Sequence, residues 1–173
     1  MKFITLGSRL VPAIGLGTNK LTGPAGVDII TKALQIGYRH IDTAQLYENE
    51  ADVGKAIIQS GVPRQEIYLT TKIWPSNLGA DRFLPSIKES LRKLNTDYVD
   101  LLLIHWPSHQ WEVTEYMPRL MATQELGLAK DIGVSNFNIS QLKAAQKSGA
   151  PIVTNQVEFN PWINQTKLHR WMH

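Results

Sequence analysis

The chain has 173 residues, of which 43% are hydrophobic and 19% charged, as expected for a folded protein with a sizeable core. Its net charge of +3 comes without a Lys/Arg block, so it favours a small anionic ligand weakly and gives hardly any support to nucleic-acid binding. The lack of cysteine excludes disulfides, thiolate metal sites and a cysteine nucleophile, and it fits a cytoplasmic protein. The start of the chain does not read as a signal peptide, and the longest apolar run, VDLLLIHW, is far shorter than a membrane span.

The first predicted element is a short β-hairpin in KFITLGSRLVP, which turns near Gly7 and Ser8. Six β-rich runs follow and alternate with helical patterns: AIGLGT, YRHIDTA, IYLTTKIW, VDLLLIHW, AKDIGVSNF and IVTNQVEFN. Strands that alternate with helices predict a parallel sheet covered by helices, which is an α/β fold. We find no linker or low-complexity segment and expect residues 1–173 to form one domain.

Of four helical patterns, the first three place their apolar residues on one face. The stretches are GVDIITKALQIG, NEADVGKAIIQSG, DRFLPSIKESLRKLN and NISQLKAAQKSG. In the first three, in this order, the faces consist of Val27, Ile30 and Leu34; of Val53, Ala56 and Ile57; and of Phe83, Leu84, Ile87, Leu91 and Leu94. Asn138 is a predicted N-cap, and Gly37, Gly61 and Gly149 are predicted stops. Pro118, inside VTEYMPRLMATQELG, conflicts with a helix at a cost of roughly 3 kcal/mol and predicts a kink or a late helix start.

Polar residues stand at the end of each predicted parallel strand. They are Gly17-Thr18, Asp42, Lys72, His105, Ser135-Asn136, and the group Asn155, Gln156 and Glu158. In a parallel α/β barrel these ends lie on one face, which carries the chemistry. Spacing alone does not separate a barrel from an open doubly wound sheet, but the Gly-x-Gly-x-x-Gly turn of the open dinucleotide-binding type is absent.

Taken singly, most of these residues have a structural interpretation. An Asp after a strand usually caps or turns the chain, and Tyr47 and His105 could be ordinary packing residues. Lys72 is less ordinary, because an ammonium inside an apolar strand is costly unless it is paired.

Together, these residues suggest a site for reducing a carbonyl. A free phenol has a pKa of about 10, and a nearby ammonium favours its ionised form. Tyr47 would then donate a proton, Lys72 would supply the charge, Asp42 would hold Lys72, and His105 would orient the substrate carbonyl. Since the set contains neither a nucleophile nor a metal site, the hydride has to come from a nicotinamide cofactor.

The motifs GLGT, YRHIDTAQLYENE, LTTKIW, VDLLLIHWP, IGVSNF and NQVEFNPW closely resemble those of the aldo-keto reductases. Within that family the chain is most similar to the bacterial 2,5-diketo-D-gluconate reductases, which also reduce methylglyoxal and other small carbonyls. The resemblance covers essentially the whole chain and implies a (β/α)8 TIM barrel.

The resemblance also implies roles for individual residues. Asp42, Tyr47, Lys72 and His105 would form the catalytic tetrad, with Trp74 and Trp106 lining the carbonyl pocket. Ser135, Asn136 and Gln156 would hydrogen-bond the nicotinamide carboxamide, and Gly17, Thr18 and Asp42 would also lie at the cofactor. The implied cofactor is NADP(H), and the implied partner is a small carbonyl substrate.

Such barrels run to about 250 residues, whereas this sequence stops at His173. We therefore expect an incomplete barrel of about six strands that ends in the helix after strand six and lacks the loops that hold the cofactor phosphates. Its two exposed strand edges would favour self-association. The alternative to a reductase is an inactive fragment that acts at most as a binding or assembly protein.

A metal hydrolase is a third, weaker interpretation. Apart from the terminal pair His169 and His173, which is better explained as two exposed side chains, the histidines do not cluster with carboxylates at ligand spacing. We expect no metal.

Overall fold

The computed structural model describes residues 2–172. The strands are β1 Phe3–Leu6, β2 Arg9–Pro12, β3 Leu16–Gly17, β4 His40–Asp42, β5 Tyr68–Ile73, β6 Val99–Ile104, β7 Ala129–Ser135 and β8 Ile152–Gln156. The helices are α1 Gly23–Gln35, α2 Glu50–Ser60, α3 Ala80–Leu94, α4 Val113–Glu125, α5 Ile139–Lys147 and α6 Thr166–Met172.

Strands β3 to β8 form one parallel sheet in chain order, and β1 pairs with β2 in a separate antiparallel hairpin. Each parallel strand is followed by a helix, which is the repeating unit of a β/α barrel. The hairpin turns at Gly7, whose φ of +58° lies in the left-handed region that glycine tolerates. The predicted hairpin, the six parallel strands and the α/β class are confirmed.

The helices pack their predicted apolar faces against the sheet. Val27, Ile30, Leu34, Val53, Ala56, Ile57, Phe83, Ile87, Leu91 and Leu94 are all buried in one cluster, while Leu84 is half-buried. The predicted N-cap is confirmed, since Asn138 Oδ1 accepts a hydrogen bond from the backbone N–H of Gln141 at 3.0 Å. The predicted stops Gly37, Gly61 and Gly149 all adopt positive φ within two residues of a helix end.

The prediction of a late helix start at Pro118 is wrong. Helix α4 begins at Val113, five residues earlier, and continues through the proline. The side chain of Glu115 accepts the backbone N–H of Glu112 at 2.7 Å, which satisfies a donor at the helix start. Burial of Tyr116 and Met117 offsets the hydrogen bond that the proline cannot make.

The hairpin covers the sheet at the amino ends of its strands. Val11 packs with Tyr68, Leu101 and Leu103 in a second apolar cluster. Arg9 bonds Asp100 at 3.0 Å and lies 3.4 Å from Asp131. The polar strand ends therefore lie at the opposite, open end of the sheet. Across residues 2–172, no helix combines the length and apolarity needed to cross a membrane.

Asn49 connects the two loops that lie at this open end. Its side chain is completely buried. Its amide nitrogen donates to the carbonyl oxygens of Thr18 at 2.7 Å and Leu21 at 2.9 Å, and its amide oxygen accepts from the hydroxyl of Thr43 at 3.1 Å. The loops after β3 and β4 are thereby joined through one buried amide.

We expect Asn49→Ala to lower the free energy of unfolding by about 3 kcal/mol, because it leaves buried carbonyl oxygens without a donor. Urea denaturation measures this change. Asp28→Asn, which affects only an exposed ion pair with Lys32, is the control and should shift stability by less than about 0.5 kcal/mol. Equal effects of the two variants would contradict the role assigned to Asn49.

Candidate active site

The carboxyl ends of three neighbouring strands bring Asp42, Lys72 and His105 together. Asp42 is the last residue of β4, Lys72 lies one residue before the end of β5, and His105 directly follows β6. Because the strands are parallel and in register, their ends lie at the same edge of the sheet. The ammonium of Lys72 donates directly to the carboxylate of Asp42.

Lys72 is a buried cation whose partners all lie within this site. Its side chain is only 1% exposed. Besides Asp42, its Nζ donates to the carbonyl oxygen of Thr43 at 3.0 Å and to the hydroxyl of Tyr47 at 3.5 Å. A buried ammonium keeps its charge only when it is paired and hydrogen-bonded, and these three oxygens meet that requirement.

Tyr47 lies in the 3₁₀ turn Gln45–Tyr47 that follows β4. Glu48, the next residue, has a φ of +55°, and this left-handed residue turns the chain into α2. The half-buried ring of Tyr47 meets the ring of His105 edge to face, with centroids 5.7 Å apart. The turn thus places a phenol between a buried cation and an imidazole.

His105 is buried and contacts two aromatic rings. Besides Tyr47, the ring of Trp74, just after β5, contacts the imidazole edge to face, with ring centroids 5.4 Å apart. Among the described residues, its buried Nδ1 has no hydrogen-bond partner. Burial, helped by the nearby positive charge of Lys72, lowers the pKa of His105 from 6.5 to about 4. The imidazole is therefore neutral at physiological pH.

Asp42 is also held by residues at the ends of two other strands, β3 and β8. The backbone N–H and the hydroxyl of Thr18 donate to its carbonyl oxygen at 2.9 and 3.1 Å. The side-chain nitrogen of Gln156, at the end of β8, donates to its carboxylate at 2.8 Å. Gly17 leaves open space at this edge, since no atom lies within 4 Å of where its Cβ would be.

Ser135 and Asn136 follow at the end of β7. The hydroxyl of Ser135 donates to the carbonyl oxygen of Gln156 at 2.8 Å, and the side-chain nitrogen of Asn136 donates to the carbonyl oxygen of His105 at 3.0 Å. The predicted residues from β6, β7 and β8 are therefore linked by hydrogen bonds. Trp106, 47% exposed, lies beside them on the surface.

An open groove of about 710 Å³ adjoins this cluster. It begins at Trp106 and Asn136 and runs between the loops that follow β7 and β8, past Glu158 and Leu168. Tyr47, Lys72 and His105 do not line it. The groove and the polar cluster are neighbours that share the Asn136 wall.

Two polar residues of the last strand region do not join the site. Asn155 is buried and bonds both the backbone N–H and the carbonyl of Phe137, at 3.2 and 3.0 Å. Glu158 is exposed and accepts a hydrogen bond from Asn160 at 2.7 Å. Asn155 therefore fixes a loop, and Glu158 lies on the surface.

Two contributors were absent from the sequence-based set. Thr43 supplies a backbone oxygen to Lys72, and the sequence carries no signal for a backbone acceptor. The amide of Gln45 contacts the backbone of Trp74, 29 positions along the chain, so its contact depends on the packing of two loops. Within residues 2–172, no three His, Asp or Glu side chains are grouped to hold a metal; His173 lies outside that range.

The pKa shift of His105 makes a pH effect on stability measurable. Its pKa is lowered from 6.5 to about 4, so between these values the unfolded chain binds a proton that the folded chain does not. The histidine therefore destabilises the fold as pH falls from about 6.5 to about 4. His105→Gln should lose less stability than the wild type between pH 7 and pH 4.5, measured by urea denaturation.

His109→Gln is the matched control, because this histidine lies on an exposed loop. It should keep the pH dependence of the wild type. If His105→Gln and His109→Gln gave the same pH profile, the assignment of a depressed pKa to His105 would be wrong.

Comparison with known proteins adds to this geometry. The family model described as the aldo/keto reductase family matches residues 13–173. Over 165 residues the chain is 52% identical to the methylglyoxal reductase DkgB of Escherichia coli O157:H7. This match covers 93% of this chain and 62% of that protein. It thus spans about three fifths of the length of the curated relatives it matches.

Solved structures agree with the fold. A crystal structure named provisionally as a 2,5-diketo-D-gluconic acid reductase B superposes with a TM-score of 0.94 at 45% identity, over 98% of this chain and 61% of the other. The Bombyx mori aldo-keto reductase in complex with NADP superposes with a TM-score of 0.89 at 35% identity, over 98% of this chain and 62% of the other. The matched family model and the shared arrangement of β/α units together establish that this chain belongs to the aldo/keto reductase family.

Proposed function

We propose that the protein reduces small aldehydes and ketones with NADPH, using Tyr47 as the proton donor. One observation carries the proposal: the buried ammonium of Lys72 contacts both the carboxylate of Asp42 and the hydroxyl of Tyr47, 3.5 Å away, beside a neutral imidazole. A phenol held beside a fixed cation and a neutral imidazole is suited to general-acid catalysis.

The residues at the strand ends fit a nicotinamide cofactor. The side-chain nitrogens of Asn136 and Gln156 already donate within the protein, to His105 and Asp42, which leaves their amide oxygens to accept from a carboxamide. The space at Gly17, which a Cβ would fill, allows close approach of a ligand to the backbone. Ser135, Asn136 and Gln156 would hold the nicotinamide carboxamide, and Gly17, Thr18 and Asp42 would lie near the ribose.

When bound, the cofactor supplies the hydride that reduces the carbonyl carbon. Tyr47 donates its hydroxyl proton to the carbonyl oxygen as negative charge develops there. Lys72 stabilises the phenolate that remains, because its charge lies in a site from which solvent is excluded. Asp42 keeps the ammonium in place throughout the reaction.

His105 orients the substrate carbonyl. The neutral imidazole carries one proton, and its Nδ1 is buried without a partner. An unpaired buried N–H is rarer in folded proteins than an unpaired acceptor, so we place the proton on Nε2. From there it can donate a hydrogen bond to the carbonyl oxygen and add to the stabilisation of developing negative charge.

We infer the substrate class from the two tryptophans and from the names of the relatives. Trp74 and Trp106 provide flat apolar surfaces beside His105, and these suit small, compact carbonyl compounds. The relatives include proteins named as methylglyoxal reductases and one named provisionally for 2,5-diketo-D-gluconic acid. We therefore propose methylglyoxal and keto-sugars of this kind as substrates.

We expect Tyr47→Phe to lower kcat for methylglyoxal by at least about 100-fold, because the ring stays in place while the donated proton is lost. NADPH oxidation at 340 nm measures the rate. Tyr38→Phe, which removes a hydroxyl before β4 at the other end of the sheet, is the matched control and should retain the wild-type rate. Unchanged turnover in Tyr47→Phe would exclude Tyr47 as the acid.

NADPH binding is tested separately by tryptophan fluorescence. Saturable quenching at micromolar NADPH, reduced in Trp106→Phe, is expected because Trp74 and Trp106 lie beside the proposed cofactor site. The Tyr47→Phe variant should bind NADPH as the wild type does. No quenching up to millimolar NADPH would refute cofactor binding by this chain and favour the alternative of a binding or assembly protein.

A further inference from the structure

Gln45 makes four hydrogen bonds with its side-chain amide. Its oxygen accepts from the backbone N–H of Trp74 and from the amide of Asn77, both at 2.9 Å. Its nitrogen donates to the carbonyl oxygen of Ser86 and to the hydroxyl of Ser90, both at 3.3 Å. A primary amide has two donor hydrogens and two acceptor sites, so the hydrogen-bonding capacity of Gln45 is fully used.

These four bonds join three elements around the site. Gln45 belongs to the 3₁₀ turn that carries Tyr47. Trp74 and Asn77 belong to the segment after β5, and the two serines belong to α3. The amide therefore ties the loop that carries the phenol to the loop that carries the tryptophan, and it anchors both to a helix.

The two loops each place an aromatic ring against the same imidazole. Tyr47 and Trp74 each contact the imidazole of His105 edge to face, at 5.7 and 5.4 Å. A change in the separation of the two loops would move the phenol and the indole relative to that ring. Gln45 is the side chain that bridges the loops directly.

The other contacts of the turn hold Tyr47 less firmly. The turn is a single 3₁₀ turn, closed by the Tyr47 backbone N–H to the carbonyl of Ala44 at 3.1 Å, and 3₁₀ bonds have poor geometry. The bond from Lys72 to the phenol hydroxyl is long, at 3.5 Å. Neither contact reaches the Trp74 loop.

We infer that Gln45 is a positioning residue, which holds Tyr47 and Trp74 at a fixed separation around His105 and so sets the width of the carbonyl pocket. The inference rests on the proposed function for its effect on catalysis. Its structural part, the bridge between the loops, is measurable without any turnover. A displacement of about 1 Å at such a site can cost up to about 100-fold in rate.

The test compares Gln45→Met with Gln45→Glu. Met keeps the length of the side chain but removes all four hydrogen bonds, whereas Glu keeps the two acceptor bonds to Trp74 and Asn77. We expect the Trp74 amide to exchange its hydrogen at least about tenfold faster in Gln45→Met, and to stay protected in Gln45→Glu. The NMR resonances of the His105 ring should shift in Gln45→Met.

In turnover assays with methylglyoxal, Gln45→Met should lower kcat by about tenfold or more, with the Kd for NADPH changed by less than about twofold. Gln45→Glu should recover most of that loss. Gln124→Met is the matched control, because it removes a hydrogen bond to the carbonyl of Lys130 at 2.9 Å, outside the site. It should leave kcat, Trp74 exchange and the His105 resonances unchanged.

Several outcomes would overturn the inference. A Trp74 amide equally protected in Gln45→Met and the wild type would show that Gln45 does not hold this loop. Faster exchange with kcat within twofold of the wild type would show that the bridge does not position the reacting groups. If the wild-type chain reduces no carbonyl at all, the proposed function fails. Hydrogen exchange of the Trp74 amide and the NMR resonances of the His105 ring would still decide whether Gln45 fixes the rings of Tyr47 and Trp74.

Discussion

The buried charge of Lys72 is the constraint on which the site depends. An ammonium that is 1% exposed is stable only while oxygen acceptors surround it. Those acceptors come from the carboxylate of Asp42, the backbone of Thr43 and the phenol of Tyr47. The register of β4 against β5 and the turn after β4 must therefore form together, and the same requirement that keeps the fold stable assembles the proposed proton donor.

The surrounding polar groups support this pair. Gln156 and Thr18 hold Asp42 from β8 and β3, so the two edge strands of the sheet both contribute to the central carboxylate. The buried amide of Asn49 and the half-buried amide of Gln45 then connect the neighbouring loops. Each amide is satisfied on several sides, and such networks favour one arrangement because any other leaves polar groups unpaired.

The amino and carboxyl ends of the strands differ in what covers them. At the amino ends, the hairpin covers the apolar interior, and Asp100 pairs with Arg9 and Arg64 at 3.0 and 2.9 Å. At the carboxyl ends the strands stop at polar residues, of which Lys72 and His105 are buried, and open space lies beside Gly17. The hairpin and its ion pairs thus stabilise the amino ends of the strands, while the buried contacts of Lys72 and Asn49 stabilise the carboxyl ends, where the proposed site lies.

Much of the fold was predictable from the sequence. Apolar spacing located the helices, β-rich runs located all six parallel strands, and the Asn138 cap and the glycine stops marked helix ends, because these signals depend on neighbours within a few residues. Pro118 misled the prediction, since a local cost was outweighed by burial of the helix around it. The sequence pattern also placed Asp42, Lys72 and His105 at strand ends, where parallel strands were expected to bring them together.

The sequence by itself thus determined which elements form, which residues stand at their ends and which family the motifs resemble. Only the tertiary structure decided how those residues are connected: that Gln156 donates to Asp42 across 114 positions, that His105 is desolvated beside Tyr47 and Trp74, and that Gln45 joins two loops. The physical reason is the distance along the chain over which each kind of signal acts. Backbone propensities and apolar periodicity act within a few residues, whereas hydrogen bonds and desolvation depend on groups that only the folded chain brings together.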